Sequence, residues 1–341
     1  MLDGLLHRVW THFWTFDWAV ILITWVTALA AAGFTYVVQT EGGPKTWRGF
    51  ARFCIPPEML RHPSIRLDIF FNMVMHFIRM PAGIMLSNLV FAELSYAALT
   101  ALFGTHAQLA EPWWIWVAIM AVGVLIQDFM TFYAHVLQHR IGVFWELHKV
   151  HHSVEFLIPL SNRRFHPIQA IMDNWFTMVP LGLFLGIISY VLSLPVHDYS
   201  IIGLDALFVM NMLSFYHLRH SHVPMRYGWL ERHLISPAQH QLHHSREERH
   251  WDKNFGFCFS WWDRMWGTVV YSDPHETFRL GLPDGDQVQY DSVLKLFLTP
   301  VRNLSLMGWG GARRLLTRPQ PAPVPVPVPE AAALPPVQDA A

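Results

Sequence analysis

Five long apolar segments alternate with polar, basic segments along the chain. Each apolar segment has about 20 residues and few charges, which is the length a helix needs to cross a bilayer; they cover residues 18–38, 82–103, 113–134, 174–195 and 199–216. A shorter apolar stretch, residues 70–79, precedes Pro81, so we predict an interfacial helix that ends there. The pattern predicts an all-α integral membrane protein with about five transmembrane helices, four to six in all, and a cytoplasmic helical cap.

Composition agrees with a membrane protein. Of the 341 residues, 52% are apolar and 14% are charged, which leaves no large water-soluble domain. The first apolar segment lacks a basic leader and a cleavage pattern, so we expect it to be retained as a transmembrane helix. A formal net charge of −1 provides no basic field for nucleic acid. Cys54 and Cys258 stand alone and indicate neither a zinc ribbon nor a disulfide framework.

The positions of Lys and Arg predict the orientation in the membrane. Residues 39–69, 135–173 and the chain after 216 contain five, four and thirteen of them, whereas 104–112 and 196–198 contain none. Cytoplasmic loops accumulate Lys and Arg. We therefore expect the cap to face the cytoplasm and the N-terminus to lie outside, in a bacterial inner membrane or in the endoplasmic reticulum.

The chain divides into four expected regions. Residues 1–112 form an N-terminal membrane region, and residues 113–275 form a catalytic region with transmembrane helices. Residues 276–318 form a cytoplasmic C-terminal segment. Residues 319–341 are rich in Pro and Ala, a composition that favours extended polyproline II and cannot pack a core, so we expect a disordered tail.

Histidines in three groups provide the candidate chemistry. The chain contains 21 histidines, and two of the groups share the spacing HxxHH. At 100° per residue each group presents its imidazoles toward one side of a helix, and neutral imidazole is a ligand for Zn, Cu, Fe and Ni. The candidate metal ligands are His135, His139, His148, His151, His152, His240, His243 and His244. Eight ligands exceed one tetrahedral ion, so we expect two ions with four or five imidazoles each.

Two other classes of metal protein fit these residues less well. A zinc-dependent membrane hydrolase needs a general base beside its ligands, and Glu146 and Glu155 flank the second group without lying between ligands. A metal transporter should place its ligands near the middle of the membrane. Here the histidines fall at the ends of the predicted spans.

Asp128 is the candidate catalytic carboxylate. It precedes His135 by seven residues and so lies on the same helical face. We predict that it accepts the outer N–H of a ligating imidazole, with a buried structural acid as the alternative. Ionisable groups within a membrane span are functional candidates by default, and Glu93 is a weaker one.

The histidine groups and the motifs around them resemble the fatty acid hydroxylase and sterol desaturase superfamily. The resemblance covers roughly residues 128–268 and rests on Asp128-Phe-Met-Thr-Phe-Tyr133-Ala-His135, Arg164-Phe-His166-Pro167, Pro237-Ala-Gln-His240, Asn254-Phe-Gly256 and Trp262-Asp263-Arg264-Met-Trp-Gly267-Thr268. One position departs from the family pattern, because Val136 follows His135 where the family often has Arg.

The resemblance implies a membrane enzyme with a dinuclear centre, usually two Fe ions, that uses O2 to hydroxylate or desaturate a lipid such as a sterol or fatty acyl chain. Zinc is expected as a substitute in overexpressed protein. The family pattern carries over His220 and then His217 as further ligands, with His222 left open, and His166 as a catalytic residue or a group that orients a ligand. A pterin-dependent ether-lipid monooxygenase shares these groups and remains an alternative.

The expected partners are a lipid bilayer, a lipid substrate and a separate electron donor. No dinucleotide-binding, haem or iron–sulfur motif is present, so we expect a ferredoxin- or cytochrome b5-like donor to dock beside Arg246, Arg249 and Lys253. The substrate is expected to enter sideways between the spans 113–134 and 199–216. Candidate lining residues are Trp175, Phe176, Phe208 and Phe215.

Overall fold

The protein is helical throughout the part of the chain that its computed structural model describes. That part comprises residues 18–41, 44–85, 88–107, 109, 112–193 and 206–309. Within these residues there is no β-strand, and the only extended pairings are two isolated bridges, Leu234 with Phe259 and Ser245 with Leu280. The predicted all-α class is therefore confirmed.

Fourteen α-helices are defined within the described residues. In chain order, α1 to α14 are Trp18–Phe34, Trp47–Cys54, Pro57–Arg61, Pro63–Met85, Asn88–Phe103, Trp113–Arg140, Gly142–His152, Pro167–Leu192, Ala206–Leu213, Tyr216–Arg219, Pro237–His243, Trp261–Trp266, Asp284–Gln287 and Val293–Trp309. A π-helical turn, Thr35–Gln39, extends α1, and short 3-10 turns cover Pro159–Arg163, Gly228–Arg232, Glu248–His250 and Val288–Tyr290.

Among the described residues, three helices are long and apolar enough to cross a membrane, as expected of an integral membrane protein. They are Leu22–Gln39, Trp113–Arg140 and Pro167–Leu192, and they correspond to the predicted spans 18–38, 113–134 and 174–195. The predicted span 82–103 is represented by the shorter α5. The number of five crossings and the cytoplasmic orientation stay predictions.

Two predicted boundaries differ from the structure. The helix expected over 70–79 is α4, which begins at Pro63 and continues through Pro81 to Met85. A proline in an apolar helix costs one backbone hydrogen bond without having to end the helix. Of the predicted span 199–216, the structure describes only the part from residue 206 onward, where α9 ends at Leu213 and a turn precedes α10.

The helices α5 and α8 form the most extensive helix pair. Gly186 of α8 faces Ala92 and Ser95 of α5, and a Cβ atom at this glycine would overlap both the backbone of Ala92 and the Ser95 side chain. Small residues at a crossing allow two membrane helices to approach closely and gain van der Waals contact. This pair supports α6, which also packs along α8 and carries the first two histidines.

The helix with the second histidine group, α7, packs between α4 and the C-terminal helix α14. Trp145 and Val150 of α7 share a buried cluster with Phe71 of α4, Tyr290 and Leu296. Residues beyond 276 thus complete the core beneath the histidines. The boundaries of the four regions stay predictions, and the tail 319–341 lies outside the described residues.

A buried ion pair fixes the C-terminal end of α7. The Arg164 Nε donates to Asp68 Oδ1 at 2.6 Å, and the Arg164 Nη1 donates to the carbonyl oxygen of Ser153 at 3.1 Å. Ser153 directly follows His152, and all three residues are buried. Because a buried charge requires a partner and full hydrogen bonding, Arg164 holds the second histidine group in one position relative to α4.

Candidate metal centre

The first histidine pair occupies the last two turns of α6. His135 and His139 are four residues apart and therefore lie on one face of the helix. The Nδ1 of His135 is 2.9 Å from the carbonyl oxygen of Phe255, and the Nδ1 of His139 is 3.3 Å from Asp252 Oδ1. These contacts direct the Nε2 atoms toward α7 and α11.

The two HxxHH groups interlock. In α7, His148 and His152 lie four residues apart and join the α6 pair in one cluster, whereas His151 belongs to a second cluster. In the HxxHH group of α11 the assignment is reversed, because His240 and His244 belong to the second cluster and His243 joins the α6 pair. Each HxxHH group thus gives two histidines to one cluster and its remaining histidine to the other.

The result is two adjacent clusters of histidines, and within each cluster the candidate ligand atoms all lie within 4.8 Å of one another. The five-histidine cluster contains His135, His139, His148, His152 and His243, and the four-histidine cluster contains His151, His220, His240 and His244. The rings of His152 and His244, one from each cluster, stack with centroids 4.6 Å apart. Any ions bound in the two clusters would therefore be close neighbours.

The nitrogen separations fit a metal ion. The Nε2 of His152 is 3.1 Å from that of His139 and 3.2 Å from that of His148, and the Nε2 of His240 is 3.1 Å from that of His220 and 3.2 Å from that of His244. Metal–imidazole bonds of about 2.0–2.1 Å bring neighbouring ligand nitrogens to about 3 Å from one another. Both clusters could hold an ion with little rearrangement.

Two buried nitrogen atoms point to the same conclusion. The Nε2 atoms of His135 and His243 have no hydrogen-bond partner among the described residues. Their Nδ1 atoms are occupied by the carbonyl oxygens of Phe255 and Lys253, at 2.9 and 2.7 Å. A carbonyl oxygen accepts a hydrogen bond from Nδ1–H, which keeps the proton on Nδ1 and leaves the lone pair on Nε2 for a metal ion.

Burial keeps the clustered imidazoles neutral. It lowers the pKa of His151, His152, His220, His240 and His243 well below the usual value, the neighbouring histidines lower it further, and it lowers the pKa of His244 to about 3. The neutral ring is the form that binds a metal. At neutral pH these side chains are thus already in their ligating state.

His217 and His166, both proposed from the family pattern, belong to neither cluster. The His217 ring stacks on Trp25 of α1 with centroids 6.2 Å apart. The His166 Nδ1 accepts a hydrogen bond from the Ile168 amide at the start of α8, and its Nε2 lies 3.2 Å from the carbonyl oxygen of Phe297. His222 lies 2.6 Å from the carbonyl oxygen of Phe53. Of His217, His220 and His222, only His220 lies in one of the two clusters.

Asp128 contacts other groups than the imidazole predicted for it. Its carboxylate accepts three hydrogen bonds, from the Cys258 amide at 2.6 Å, the Phe259 amide at 3.1 Å and the Trp262 indole at 2.7 Å, and none from an imidazole. The loop before α12 folds back onto α6, and its backbone amides donate to the Asp128 carboxylate. Since the same loop contains Phe255, Asp128 supports His135 indirectly.

The residues that contact the outer nitrogens were not predicted from the sequence. They are Asp252 and the Lys253 carbonyl, the Phe255 carbonyl, Ser161, whose Oγ is 3.1 Å from His220 Nδ1, and Gln169, whose Nε2 is 2.8 Å from His148 Nδ1. Asp252 and Asn254 adopt left-handed φ values of 55° and 54°. Asp and Asn tolerate this region better than most residues. The pair of them at 252 and 254 was therefore the signal in the sequence that could have indicated this turn.

A buried polar group connects α6 with α8 behind the five-histidine cluster. Asp173 accepts hydrogen bonds from Gln138, which lies between His135 and His139, and from Gln169 at 3.4 Å. When Nε2 of His148 binds a metal, its Nδ1 carries the proton and needs an acceptor. The Gln169 Oε1, which has no partner among the described residues, supplies one when the amide turns over.

Comparison with known proteins agrees with this geometry. Residues 120–268 match the fatty acid hydroxylase family model. The chain is similar to the ornithine lipid hydroxylase OlsE of Rhizobium tropici, with 26% identity over 58% of this chain and 56% of the relative, and to the Delta(7)-sterol 5(6)-desaturase ERG3B of Gibberella zeae, with 29% identity over 53% and 54%. It is also similar to human alkylglycerol monooxygenase, with 27% identity over 57% of this chain and 42% of the relative.

The chain spans about half the length of these curated relatives. No solved structure shows significant similarity to it. The matched residues 120–268 contain all nine histidines of the two clusters. On this evidence, residues 120–268 form a fatty acid hydroxylase domain, and the chain is similar to lipid hydroxylases and desaturases.

Proposed function

We propose that this protein is an O2-dependent lipid hydroxylase or desaturase with two iron ions, one in each histidine cluster. The observation that carries the proposal is the pair of buried all-imidazole clusters at the end of a membrane-spanning helix. The relatives named above act on an ornithine lipid, a sterol and an alkylglycerol. Since these substrates share only their lipid character, we propose a lipid without naming one.

The ligand sets favour iron. Five imidazoles exceed the four ligands of a structural zinc site, and imidazole is a good ligand for iron. Zinc remains a substitute in overexpressed protein. Bound iron supplies the redox chemistry that activates O2 against a C–H bond. The chain contributes neutral ligands, the carbonyl and carboxylate groups that orient them, and a buried setting that excludes water.

The position of the clusters favours a substrate that stays in the membrane. His135 and His139 lie where α6 ends, so a lipid with its headgroup at the interface can approach sideways. Trp175 is exposed on α8 and Phe215 lies at the start of α10, and both remain candidate lining residues. Phe176 is part of the same proposal, and the side chain of Phe208 lies outside the described residues.

Electrons are proposed to come from a separate ferredoxin- or cytochrome b5-like donor. The loop of Asp252 and Lys253 contacts both His139 and His243 of the five-histidine cluster. Arg249 is exposed near this loop, although it also pairs with Glu276. A donor that docks beside Arg246, Arg249 and Lys253 would therefore have a short hydrogen-bonded route to the cluster.

Two alternatives differ in what the structure offers them. Similarity to alkylglycerol monooxygenases keeps a pterin-dependent ether-lipid monooxygenase as the second candidate. A zinc hydrolase is disfavoured, because the Glu146 carboxylate is bound to Lys149 at 2.7 Å and to Asn303 at 2.9 Å, and Glu155 is exposed outside both clusters. No carboxylate of the described residues is grouped with the clustered histidines.

The direct test is lipid oxidation by the iron-loaded protein in membranes. Reduced protein is incubated with isotopically labelled O2 and with ornithine lipid, sterol or alkylglycerol, and the lipids are analysed by mass spectrometry. We expect one lipid class to gain an oxygen atom from O2 or to lose two hydrogens, and His240→Ala to abolish the change. Dependence on an added tetrahydropterin would select the second candidate. A lipid change that needs no O2 would contradict both.

Asp252 is expected to strengthen metal binding through His139. Asp252→Gly keeps the left-handed backbone but removes the acceptor, so we expect metal affinity to fall by about 10- to 100-fold, the usual cost of losing such a partner. Asp252→Asn retains an oxygen at the same position and tolerates the same φ. Competition with a chelator measures both variants, and equal affinities for Gly and Asn would show that the contact has no such role.

A further inference from the structure

An exposed aromatic face surrounds the short helix α12. Trp261, Met265 and Trp266 of α12 are exposed, and Trp229 in the 3-10 turn Gly228–Arg232 is 72% exposed. His233 connects them, because its ring lies 6.4 Å from Trp229 and its Nδ1 accepts a hydrogen bond from the Trp261 indole at 3.1 Å. We call these residues the tryptophan face. It is continuous, although it comes from two segments about 30 residues apart.

The tryptophan face continues the surface of a membrane-spanning helix. The Trp262 ring contacts Phe129 of α6 with centroids 5.0 Å apart, and the Trp266 ring contacts Phe132 at 5.3 Å. Tyr133 of α6 is also exposed on the helix. The cap therefore meets this side of α6 largely through aromatic side chains, and the Trp262 indole also donates to Asp128 of α6.

The length of α6 places this contact at the membrane boundary. At 1.5 Å per residue, the 28 residues of α6 extend about 42 Å, whereas the hydrocarbon core is about 30 Å thick and takes about 20 residues. Trp113, Trp114 and Trp116 mark one interface at the start of the helix. Counting about 20 residues from there leads to Phe132, so α12 lies where the helix leaves the hydrocarbon.

The charges around the face suit lipid headgroups. Arg232 and Arg264 are both exposed, and the Arg264 Nη1 donates to the carbonyl oxygen of Arg232 at 3.1 Å, which holds the two segments together. Tryptophan favours the interface, where its ring is apolar and its N–H is polar. Guanidinium groups bind phosphate. Aromatic and cationic side chains thus alternate on one surface, as in an interfacial anchor.

We propose that the tryptophan face rests in the interfacial layer of the bilayer, with Arg232 and Arg264 on lipid phosphates. The contact fixes the depth of the cap relative to the membrane. His135 and His139 follow Phe132 by only one or two helical turns, so the face would hold both clusters a few ångströms beyond the hydrocarbon. This inference rests on α6, α12 and the segment from Trp229 to His233, and it does not depend on which metal or reaction the clusters support.

A depth measurement on the full-length protein in bilayers tests the proposal. A nitroxide is attached at Met265→Cys in a Cys54→Ala background, which leaves only the buried Cys258. Collision rates with O2, which concentrates in lipid, and with a water-soluble nickel chelate then report depth. Val122→Cys on the exposed side of α6 gives the value in lipid, and Glu248→Cys gives the value for an exposed position of the cap.

We expect Met265→Cys to give an intermediate ratio of O2 to nickel-chelate collisions, below that of Val122→Cys in the middle of the span and clearly above that of Glu248→Cys. Trp266→Cys provides a second site on the face, with the same expectation. A ratio equal to that of Glu248→Cys would place the face in water and overturn the proposal. Protection from both reagents would mean that a second copy or another protein covers the face, which would also overturn it.

Discussion

Replacing His148 by Ala should abolish lipid oxidation and remove metal from the five-histidine cluster. His148 contributes an Nε2 that lies 3.2 Å from the His152 Nε2, and its ring is buried between α6 and α8. Losing an outer partner of a ligand already costs about 10- to 100-fold in affinity or activity, so losing the ligand itself should cost more. Product formation per protein and metal per protein measure the two effects.

His217 provides the matched control for this variant. The family pattern suggested His217 as a ligand, whereas the structure stacks it on Trp25 and outside both clusters. His217→Ala should therefore keep its metal and most of its activity. If His217→Ala lost metal as His148→Ala does, the assignment of ligands from the structure would be wrong.

Acid should destabilise the metal-free protein steeply below about pH 6. An unfolded histidine binds a proton near pH 6.5, whereas burial holds the pKa of His244 at about 3 and lowers that of five other clustered histidines. Between these values the unfolded state holds more protons, so stability rises with pH and is lost as pH falls.

The expected size of the acid effect follows from the number of histidines. Each histidine that stays neutral only in the folded state contributes about 1.4 kcal/mol per pH unit, so six contribute about 8 kcal/mol per pH unit at most. Since whole domains are stable by about 5–15 kcal/mol, a fall of about one to two pH units should unfold the cap. Burial raises the pKa of the Asp263 carboxyl, which offsets part of the loss at lower pH.

Thermal unfolding of the chelator-treated protein, followed by helical circular dichroism from pH 8 to pH 4, measures this dependence. His244→Gln is the matched variant, because glutamine is neutral throughout and removes one proton from the difference. We expect a shallower dependence in His244→Gln. A stability that is unchanged between pH 7 and pH 5 would contradict the buried, neutral state of the clusters.

The sequence predicted the histidine groups and two ions with four or five imidazoles each, but not which histidine joins which cluster. Spacing shows which side chains share a helical face, and for His135 and His139 that was sufficient. Which HxxHH histidine joins which cluster depends on how α7 and α11 cross, and this is a tertiary relation. The same limit applies to His217 and His220, because α10 ends between them and turns the two side chains in different directions.

For Asp128, the spacing along the chain predicted a face of α6 but not the hydrogen-bond donors that meet it there. Its spacing placed it on the same face of α6 as His135. The Cys258 and Phe259 amides and the Trp262 indole, which come from the loop before α12 and from α12 itself, donate to its carboxylate. Asp252 was not anticipated because its contact with His139 crosses 113 residues of sequence. Long-range contacts of this kind leave no local periodicity to detect.

The iron content of the purified protein tests the central claim most directly. The protein is prepared without oxygen from cells grown with ample iron, and bound metal is determined per chain for the wild type, His148→Ala and His240→Ala. The two clusters predict two iron ions in the wild type and the loss of at least one in each variant, one from the five-histidine and one from the four-histidine cluster. A single metal equivalent that neither substitution changes would contradict a two-ion centre.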